Sequence, residues 1–478
     1  MISSRPIFHL LKVTLEAKSA HAIHTGHGDT VHDSLVMRDA NGLPALSGSS
    51  LAGVLRHEFQ RLYGEKDTEL LFGYANGNDG QTSWLNVGWG LTHNSKNQVF
   101  EGLLTDEQLS DPLFRVLRDE KPIVRQRVRL NDRGSSIDSG KFDITLVPAG
   151  ARYTFYISYW SDAKQESDDH WCKLVALVTQ SHLRVGHGTK DGYGLFEAIS
   201  AHEAIWDLST KEGREAYVNR DRSRMGLGNM QAVSAEEQES SNVNISAILD
   251  LTAESAWRIG GGERYIHGFE SMDSSSRDPD MLPMHEAKIN WRSSSNGHVI
   301  GEVGEQQYLL PASAIKGAIR HRVAYHYNCL TGRFVDDGSA FEVDESPAVI
   351  SLFGHSVDGD SSAGIVAFQD VYLESERQQV FMHNKVDRFT GGVMTGALFS
   401  ENILWQSDIK IKFDITQPEK LNDPMIKQAF NNALQDLADG WLALGASGSR
   451  GLGVFLDKSN KGVQWSDNKT WIAAKGAE

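Results

Sequence analysis

The chain has 478 residues, of which 40% are hydrophobic and 23% charged, with 45 Gly against 11 Pro. This composition is typical of a folded protein with two or three domains, and it excludes the collagen-like and disordered classes. The net charge of −16 is divided into −3 over the first 235 residues and −13 over the rest, which argues against a general nucleic-acid coat but permits local phosphate contacts.

The sequence carries few targeting or cross-linking signals. The N-terminus lacks a basic region followed by a cleavable apolar core, and no apolar run approaches the ~18 to 20 residues that span a bilayer. The two cysteines, Cys172 and Cys329, are too few for a disulfide framework or a cysteine zinc cluster. We therefore expect a cytoplasmic protein with no membrane partner.

The first predicted elements are an apolar strand at 9–15, a long loop, and a helix near residue 50. Ser49 or Ser50 is the expected N-cap of this helix, because apolar residues recur at helical spacing after it. A mostly β segment follows at 141–160, and the alternation within 143–158 predicts an antiparallel strand pair. A further helix and a Gly-rich turn at 186–194 complete this series.

The series of elements occurs twice. In order, the matching pairs of segments are 15–26 and 251–262, 43–57 and 309–322, 70–77 and 351–358, and 186–194 and 445–453. Four matches in one order indicate a duplication. The acidic, Ser-rich run 234–242 is the predicted linker, which gives domains at 1–233 and 243–478. Interleaved helices and antiparallel strands predict an α+β fold of two tandem ferredoxin-like domains.

The second copy differs from the first in two places. It holds about 28 extra residues around 263–300, and their Ser, Gly, Asp and Pro content predicts an exposed loop rather than a new core element. Its first helix has Ser313 as the expected N-cap, with Ile315, Ile319 and Val323 repeating every four residues on the core face.

The two Gly-rich turns share the pattern GxxxxxGxG, and each includes a cation, Lys190 or Arg450. Glycines allow backbone N–H groups to crowd around an anion, so the pattern predicts contact with a phosphate chain. A plain tight turn is the alternative. Neither turn opens a helix after a first strand, so nucleotide hydrolysis and NAD chemistry are poorly supported.

Four features together resemble one known family: the Gly-containing first loop, VMRD at 36–39, LPALSGSSLAGVLR at 43–56, and the terminal GxxxxxGxG turn. The chain is similar to the RAMP superfamily of CRISPR-associated proteins, above all to the backbone subunits of type III RNA-targeting effector complexes. The tandem copies resemble the fused backbone subunits of type III-D variants. The resemblance implies modified ferredoxin-like (RRM-like) domains with thumb hairpins, stacked along a crRNA guide and kinking the guide–target duplex.

The resemblance also implies partners and an activity. The implied partners are the crRNA guide, target RNA, a large signature subunit, other backbone subunits and small subunits. The implied activity is endoribonuclease cleavage of target RNA, in which the ribose 2′-OH attacks the adjacent phosphate with the help of Mg²⁺ or another divalent cation. The family acid lies in a context like DNPVVRD, which DSLVMRD matches here, so the catalytic and metal-binding role is carried over to Asp33.

The second copy has no evident counterpart of DSLVMRD. The nearest candidate is HEAKINW at 285–291, which offers His285 and Glu286, and Asp273, Asp278 and Asp280 lie in the same loop. For Asp33 itself, a solvated loop acid is the alternative. A zinc site at His24, His27 and His32 is disfavoured, because no cysteine or clustered carboxylate completes it.

The predicted RNA contacts are helix-cap serines, basic side chains and the residues of the two turns. They are Ser49, Ser50, Arg56, Arg125, Arg127, Arg129, Gly186, Gly188, Lys190, Gly192, Ser313, Lys316, Arg320, Gly445, Gly448, Ser449, Arg450 and Gly451. Such groups position a nucleic-acid backbone without reading its sequence. The Arg-rich run 125–134 is the expected RNA-facing hairpin, with 386–392 at the equivalent place in the second copy. Ordinary surface solvation is the alternative for the basic groups.

Three other functions are compatible with the sequence. The first is a catalytically inert RNA scaffold. The second is a guide-processing endoribonuclease that acts alone through His21, His24 or His32. The third is a duplicated metabolic protein whose turns bind a small phosphate ligand.

Overall fold

The computed structural model describes residues 5–25, 35–233, 244–261 and 279–466, except 78, 120–121, 132–133, 163, 181–182, 295, 358–359 and 374–375. Asp33, Asp273, Asp278 and the predicted linker 234–242 lie outside the described residues. The two copies are called repeat 1 and repeat 2 below.

Repeat 1 contains eleven described strands and six described helices. In chain order they are β1 (Ile7–Ala17), α1 (Gly48–Tyr63), α2 (Glu65–Phe72), β2 (Tyr74–Asn76), β3 (Asp79–Gln81), β4 (Leu85–Val87), β5 (Leu91–Thr92), α3 (Asp106–Leu109), α4 (Pro112–Leu117), β6 (Ile123–Leu130), β7 (Ser136–Leu146), β8 (Arg152–Ser161), α5 (Gln165–Gln180), β9 (Leu183–Arg184), β10 (Leu195–Asp207), α6 (Lys211–Val218) and β11 (Gln231–Ala232).

Repeat 2 contains the remaining described elements. They are β12 (Ile245–Ala253), β13 (Ala256–Trp257), β14 (His285–Ser293), β15 (Val299–Leu310), α7 (Ala312–Leu330), α8 (Pro347–Phe353), β16 (Gly354–Val357), β17 (Asp360–Ala363), β18 (Val366–Phe368), β19 (Val371–Leu373), β20 (Arg377–His383), β21 (Phe399–Trp405), β22 (Asp408–Ile415), α9 (Pro424–Ala438), β23 (Phe455–Asp457) and β24 (Gln464–Trp465).

The central sheets of the two repeats have the same strand order. In repeat 1, β1 lies between β10 and β8, and β4 lies outside β8. In repeat 2, β12 lies between β23 and β22, and β18 lies outside β22. In chain order, a helix follows the first and the third of these four strands in each copy. This is the split βαβ arrangement of a ferredoxin-like domain. The predicted fold class is confirmed.

Two hydrophobic cores account for this arrangement. The first is built around Leu11, Val13 and Leu15, which alternate on the buried face of β1, and the second around Leu249 and Leu251 of β12. Helices α1 and α5 cover the first sheet, and α7 and α9 cover the second. Each core is therefore formed mainly by residues of its own repeat. The exact domain boundaries remain a prediction.

The first helix of each repeat begins differently from our expectation. Ser47, rather than Ser49 or Ser50, is the N-cap of α1, and its hydroxyl oxygen accepts a hydrogen bond from Ser50 N–H. Helix α7 has Pro311 at its N-cap, not Ser313. The Asp370 carboxylate, which lies far along the chain, accepts from Ala312 N–H at 2.8 Å and takes the place of a local cap.

The predicted strand pair within 143–158 is wrong. Strands β7 and β8 do form there, but β7 pairs with β6 to make a separate hairpin, whereas β8 pairs with β1 in the central sheet. Local alternation shows which residues are extended, but long-range pairing decides the partner of each strand. We call the β6–β7 pair hairpin 1. The β20–β21 pair, which occupies the same place in repeat 2, is hairpin 2.

The insertion in repeat 2 is not only an exposed loop. Its described part contains β14 and the first two residues of β15, with which β14 forms an antiparallel pair. Ile289 of β14 is 3% exposed and joins the core of repeat 1, where its N–H donates to Ala149 O at 2.8 Å. Trp291 Nε1 donates to Gly150 O at 2.7 Å. The insertion therefore helps to hold the two repeats together.

Candidate nucleic-acid interface

The loop that contains Asp33 is closed at its base by backbone hydrogen bonds. Thr25 N–H donates to Leu35 O at 3.1 Å, and Met37 N–H donates to Ile23 O at 2.7 Å. These two bonds fix the point at which the chain leaves the end of β1 and returns toward α1. Asp33, two residues before Leu35 in the sequence, belongs to the loop that emerges there.

Repeat 2 reproduces these two bonds. Gly261 N–H donates to Leu282 O at 3.1 Å, and Met284 N–H donates to Ile259 O at 2.8 Å. Leu282 therefore corresponds to Leu35, and the residue two positions earlier, Asp280, corresponds to Asp33. The segment DMLPMHE at 280–286 matches DSLVMRD at 33–39 in its first acid, Leu, Met and last acid.

Sequence reasoning missed this match, although Asp280 was one of the candidate acids. The comparison with HEAKINW was out of register, because that segment begins at the last two residues of the matching motif and continues into β14. The spacing of Asp280, Leu282 and Met284 was the signal that identifies the correct register.

Asp280 is exposed and has defined partners. Its Oδ2 accepts hydrogen bonds from Ser400 N–H at 2.7 Å and from Ser400 Oγ at 3.1 Å. The neighbouring Glu401 is buried and pairs with Arg258 at 3.0 Å and with His383 at 2.7 Å. The sequence analysis did not identify this Arg–Glu–His group, because its members come from three distant segments.

Glu286 has a different place from the one expected of a loop acid. It is 3% exposed, and its carboxylate forms a two-bond contact with the Arg125 guanidinium at 2.8 and 3.0 Å. Tyr372 Oη donates to the same carboxylate at 2.8 Å. This corrects both expectations, since in this conformation neither Glu286 nor the fully buried Arg125 is available to RNA.

Asp370 completes the buried cluster around Arg125, 2.8 Å from its guanidinium. Burial raises the pKa of Asp370, and Arg125 opposes that shift. Burial alone would lower the pKa of Arg125, but Asp370 and Glu286 outweigh it and raise that pKa well above its ordinary value. The cluster joins hairpin 1 to β14, to the turn between β18 and β19, and to β19, so it is a contact between the repeats.

The first Gly-rich turn, residues 186–194 (turn 1), has one exposed edge. Gly186 and His187 are exposed, and the His187 ring lies 4.9 Å from the ring of His24, at the base of the Asp33 loop. Burial, and then the charge of His187, lowers the pKa of His24. This edge therefore lies beside His24, one of the described residues before the Asp33 loop.

The other edge of turn 1 is docked on repeat 2. Lys190 Nζ donates to Thr416 Oγ1 at 2.7 Å, and burial followed by the charge of Arg184 lowers the pKa of Lys190 to about 8. A Cβ atom added to Gly192 would lie 2.3 Å from Ala312 Cβ, so only a glycine fits this close approach. Gly188 lies beneath the Tyr193 ring of its own turn.

Asp191 lies at the centre of this contact. It pairs with Arg127 at 2.8 Å and with Lys316 at 2.7 Å. Burial opposes its ionisation, but Arg127 and Lys316 outweigh burial and lower the pKa of Asp191. Two of the predicted RNA contacts, Arg127 and Lys316, therefore already have an acidic partner in the structure.

The remaining predicted contacts of the first helices and hairpin 1 differ in accessibility. Ser49 is exposed at the start of α1, whereas the Arg56 guanidinium donates to Gly73 O at 2.7 Å. Ser50 and Ser313 are half-buried. Arg129 is 58% exposed, and it shares Asp344 with Arg320.

The second Gly-rich turn, residues 445–453 (turn 2), is uncovered among the described residues. Gly445, Ser449, Arg450 and Gly451 are exposed, and Gly448 is half-buried. The roles of these residues and of turn 1 in binding RNA remain predictions.

The described residues hold no group of three or more His, Cys, Asp or Glu side chains that would bind a metal ion. His27 and His32 of the disfavoured zinc site, like Asp33, lie outside the described residues. Within the described part of the chain, no helix is both long and apolar enough to cross a membrane.

Comparisons with known proteins agree with the two repeats. The family model of the RAMP superfamily matches residues 14–197 and again residues 250–455. Among 206 matching chains of solved structures, one from a type III-B Cmr-beta complex bound to cognate target RNA has 14% identity and a TM-score of 0.28. The match covers 42% of this chain and 61% of that one.

A second solved structure, the apo state of type III-B Cmr-beta, has 13% identity and a TM-score of 0.31. The match covers 40% of this chain and 96% of that one. No curated protein matches the chain.

Proposed function

The chain belongs to the RAMP superfamily, and from this premise we propose that it is a crRNA-binding backbone subunit of a type III CRISPR effector complex that cuts the bound target RNA. The observation that carries the proposal is the correspondence of Asp33 and Asp280. In the sequence, each acid stands two residues before a leucine, Leu35 or Leu282, whose carbonyl accepts the first bond of the same backbone pair. The chain would thus present two cutting loops.

The chemistry proposed for each loop is attack of a ribose 2′-OH on the adjacent phosphate. The 2′-oxygen loses its proton and forms a new bond to phosphorus, the bond to the 5′-oxygen breaks, and the leaving 5′-oxygen takes a proton from water. The products are a 2′,3′-cyclic phosphate and a 5′-hydroxyl. We assign to Asp33, and to Asp280 in repeat 2, acceptance of the proton of the 2′-OH or binding of a divalent cation.

Mg²⁺ is commonly bound by one or two carboxylates together with phosphate oxygens of the substrate. A single aspartate in each loop would fit that mode together with the phosphate oxygens of a bound RNA. The ion would supply charge stabilisation at the phosphate. Asp280 is exposed and so is open to such a ligand.

RNA binding is proposed to rest on local groups, because the chain as a whole carries −16. Ser49 at the start of α1, the exposed edge of turn 1 and Arg129 of hairpin 1 are accessible to a phosphate chain. Guide, target and other subunits of the complex are the proposed partners.

The test is target cleavage by the assembled complex with Asp33→Ala. We expect one of the cuts to slow by at least about 100-fold, the usual size of a proton-transfer contribution, with guide and target binding unchanged. Asp29→Ala, in the same loop, is the matched control and should keep the cut. Unchanged cleavage at every position in Asp33→Ala would contradict the assignment, and loss of target binding would make Asp33 a structural residue.

A further inference from the structure

Turn 1 is one of the elements through which repeat 1 contacts repeat 2, beside hairpin 1 and the β14 strand. Its last 3₁₀ residue, Asp191, pairs with Lys316, the fifth residue of α7. Its glycine Gly192 lies against Ala312 at the start of the same helix, and its neighbour Arg184 pairs with Asp414 at 2.8 Å. Turn 1 therefore contacts repeat 2 through the close approach of Gly192 to Ala312 and through the ion pair of Asp191 with Lys316.

Turn 2 has the same backbone conformation as turn 1. The φ angles of the four left-handed positions are 100°, 64°, 95° and 68° in turn 1 and 97°, 60°, 83° and 76° in turn 2. Ser447 holds the second of these positions without a glycine, which costs free energy for an L residue. The docking shape is thus kept in repeat 2 although nothing in the described chain covers it.

The free space around the two turns differs in the same way. A Cβ atom on Gly192 would clash with repeat 2, whereas a Cβ atom on the corresponding Gly451 would meet nothing within 4 Å. Ser449 and Arg450 beside it are exposed. Turn 2 therefore has the shape of a docking element, but no described part of the other repeat is docked on it.

The charge of the docking residue is reversed in turn 2. Arg450 ends the 3₁₀ segment Gly448–Arg450, as Asp191 ends Thr189–Asp191, so a cation stands where turn 1 has an acid. A receiver like repeat 2, which offers Lys316, would repel it. A carboxylate at the Lys316 position would attract it.

Repeat 1 of a second copy does not offer such a carboxylate. The fifth residue of α1 is Ala52, where α7 has Lys316. Asp370 corresponds to Trp89, because Gly88 N–H and Gln369 N–H, one residue earlier, donate to Tyr156 O and Lys412 O at the same point of each sheet. Lys316, which pairs with Asp191, and Asp370, whose Oδ1 would lie 3.1 Å from a Cβ atom on Gly192, therefore have no charged counterpart on repeat 1.

Hairpin 2 provides a second uncovered surface on the same repeat. Hairpin 1 contacts repeat 2 through Arg125 and Arg129. Hairpin 2 and its connecting loop expose apolar side chains, including Met382 at 60%, Phe389 at 100% and Leu398 at 64%. An exposed apolar group of this kind marks an interaction surface.

We propose that turn 2 docks onto a RAMP-like domain of a different chain, which carries Asp or Glu at the position of Lys316 on its first helix and an apolar surface for hairpin 2. The contact follows from the geometry between the two repeats and does not depend on RNA cleavage. The reversal at Arg450 sets the order of subunits and disfavours a run of identical copies.

The test uses the full chain in its native assembly, purified from its own cells. An Arg450→Lys variant keeps the charge and adds an amine, which a carbodiimide joins to a contacting carboxylate without a spacer. After RNase treatment, we expect the cross-linked peptide to contain an Asp or Glu from the first helix of another RAMP-like protein. A cross-link to a second copy of this chain, or to no protein, would overturn the proposal.

A second measurement separates the protein contact from an RNA contact. Arg450→Asp should lower recovery of that partner by at least about tenfold, as like charges at an interface do, while guide RNA stays bound to the chain. Lys211→Asp, an exposed site on repeat 1, is the matched control and should have no effect. If Arg450→Asp instead releases RNA and keeps the partner, turn 2 is an RNA contact and the proposal is wrong.

Discussion

Asp191 of turn 1 accepts a hydrogen bond from the Lys316 ammonium across the boundary between the repeats, with 2.7 Å between Oδ1 and Nζ. Its other oxygen accepts from Arg127 of hairpin 1 at 2.8 Å. One carboxylate thus links a turn, a hairpin and the helix of the other repeat. A charge pair this far from full exposure is screened less by salt than a surface pair.

The close approach beside this carboxylate leads to the first prediction. Gly192→Ala should destabilise the chain more than Gly451→Ala, although both positions have a left-handed φ, of 95° and 83°. Both variants incur about 1 kcal/mol of backbone strain. Only Gly192→Ala places its Cβ 2.3 Å from Ala312, which adds about 1–3 kcal/mol of overpacking. Urea unfolding of the two variants measures the difference, and equal losses would contradict the docked position of turn 1.

The second prediction concerns the buried cluster around Arg125. Arg125→Met should lower the free energy of unfolding by about 3–5 kcal/mol, because Glu286 and Asp370 would keep buried charge without a counterion. Arg129→Met removes a 58% exposed arginine of the same strand and should cost no more than about 1 kcal/mol. Thermal and urea unfolding test this pair. Similar losses in the two variants would mean that Arg125 is not the main link.

Sequence patterns predicted the fold well because its signals are local. The apolar strand at 9–15 and the four-residue spacing of Ile315, Ile319 and Val323 are visible in short windows, and these three helix residues are buried as expected. The duplication then assigned both repeats the same order of elements. The correspondence of Asp280 with Asp33 is also present in the sequence, but it is recognised only once the backbone hydrogen bonds at the base of the loop fix the register.

The contacts between the repeats could not be predicted from the sequence in this way. Arg125 looked like an RNA-facing residue because it stands in an Arg-rich run, and its partners Glu286 and Asp370 lie 161 and 245 positions away. A basic residue has the same sequence signature whether it meets a phosphate or a buried carboxylate. Only the docking of the two repeats distinguishes these cases.

The third prediction concerns the acid side of the stability profile. Burial lowers the pKa of His9 and His93 to about 4 and that of His21 to about 3, against an unfolded value near 6.5. Below pH 6.5 the unfolded chain therefore binds protons that the folded chain does not, so the free energy of unfolding falls as the pH drops toward 4. Each histidine contributes up to about 2 kcal/mol between pH 6.5 and 5.

All three of these histidines belong to repeat 1, so hydrogen exchange at pH 5 should show repeat 1 opening first. His21→Gln, which keeps a hydrogen-bonding group near Tyr153, should reduce the slope of stability against pH by the share of one proton. A slope identical to that of the wild type would show that His21 is not held neutral in the folded protein.

The last prediction addresses the second cut and rests on the proposed function. Asp280→Asn keeps an oxygen that accepts from Ser400 N–H and Oγ–H but cannot ionise, so the fold should be preserved. We expect this variant to lose the cut made by repeat 2, to keep the cut that depends on Asp33, and to retain the wild-type thermal midpoint and RNA affinity. Sequencing gels of labelled target RNA give the readout.

Glu286→Gln provides the contrast, because Glu286 is buried against Arg125 and is not exposed as Asp280 is. It should lower the thermal midpoint, since Arg125 loses a charged partner, while the folded protein makes both cuts. Asp273→Ala and Asp278→Ala should also keep both cuts, because only Asp280 corresponds to Asp33. If Asp280→Asn keeps the second cut, or the wild-type protein never makes it, then the Asp280–Ser400 contact is structural and repeat 2 acts as a scaffold.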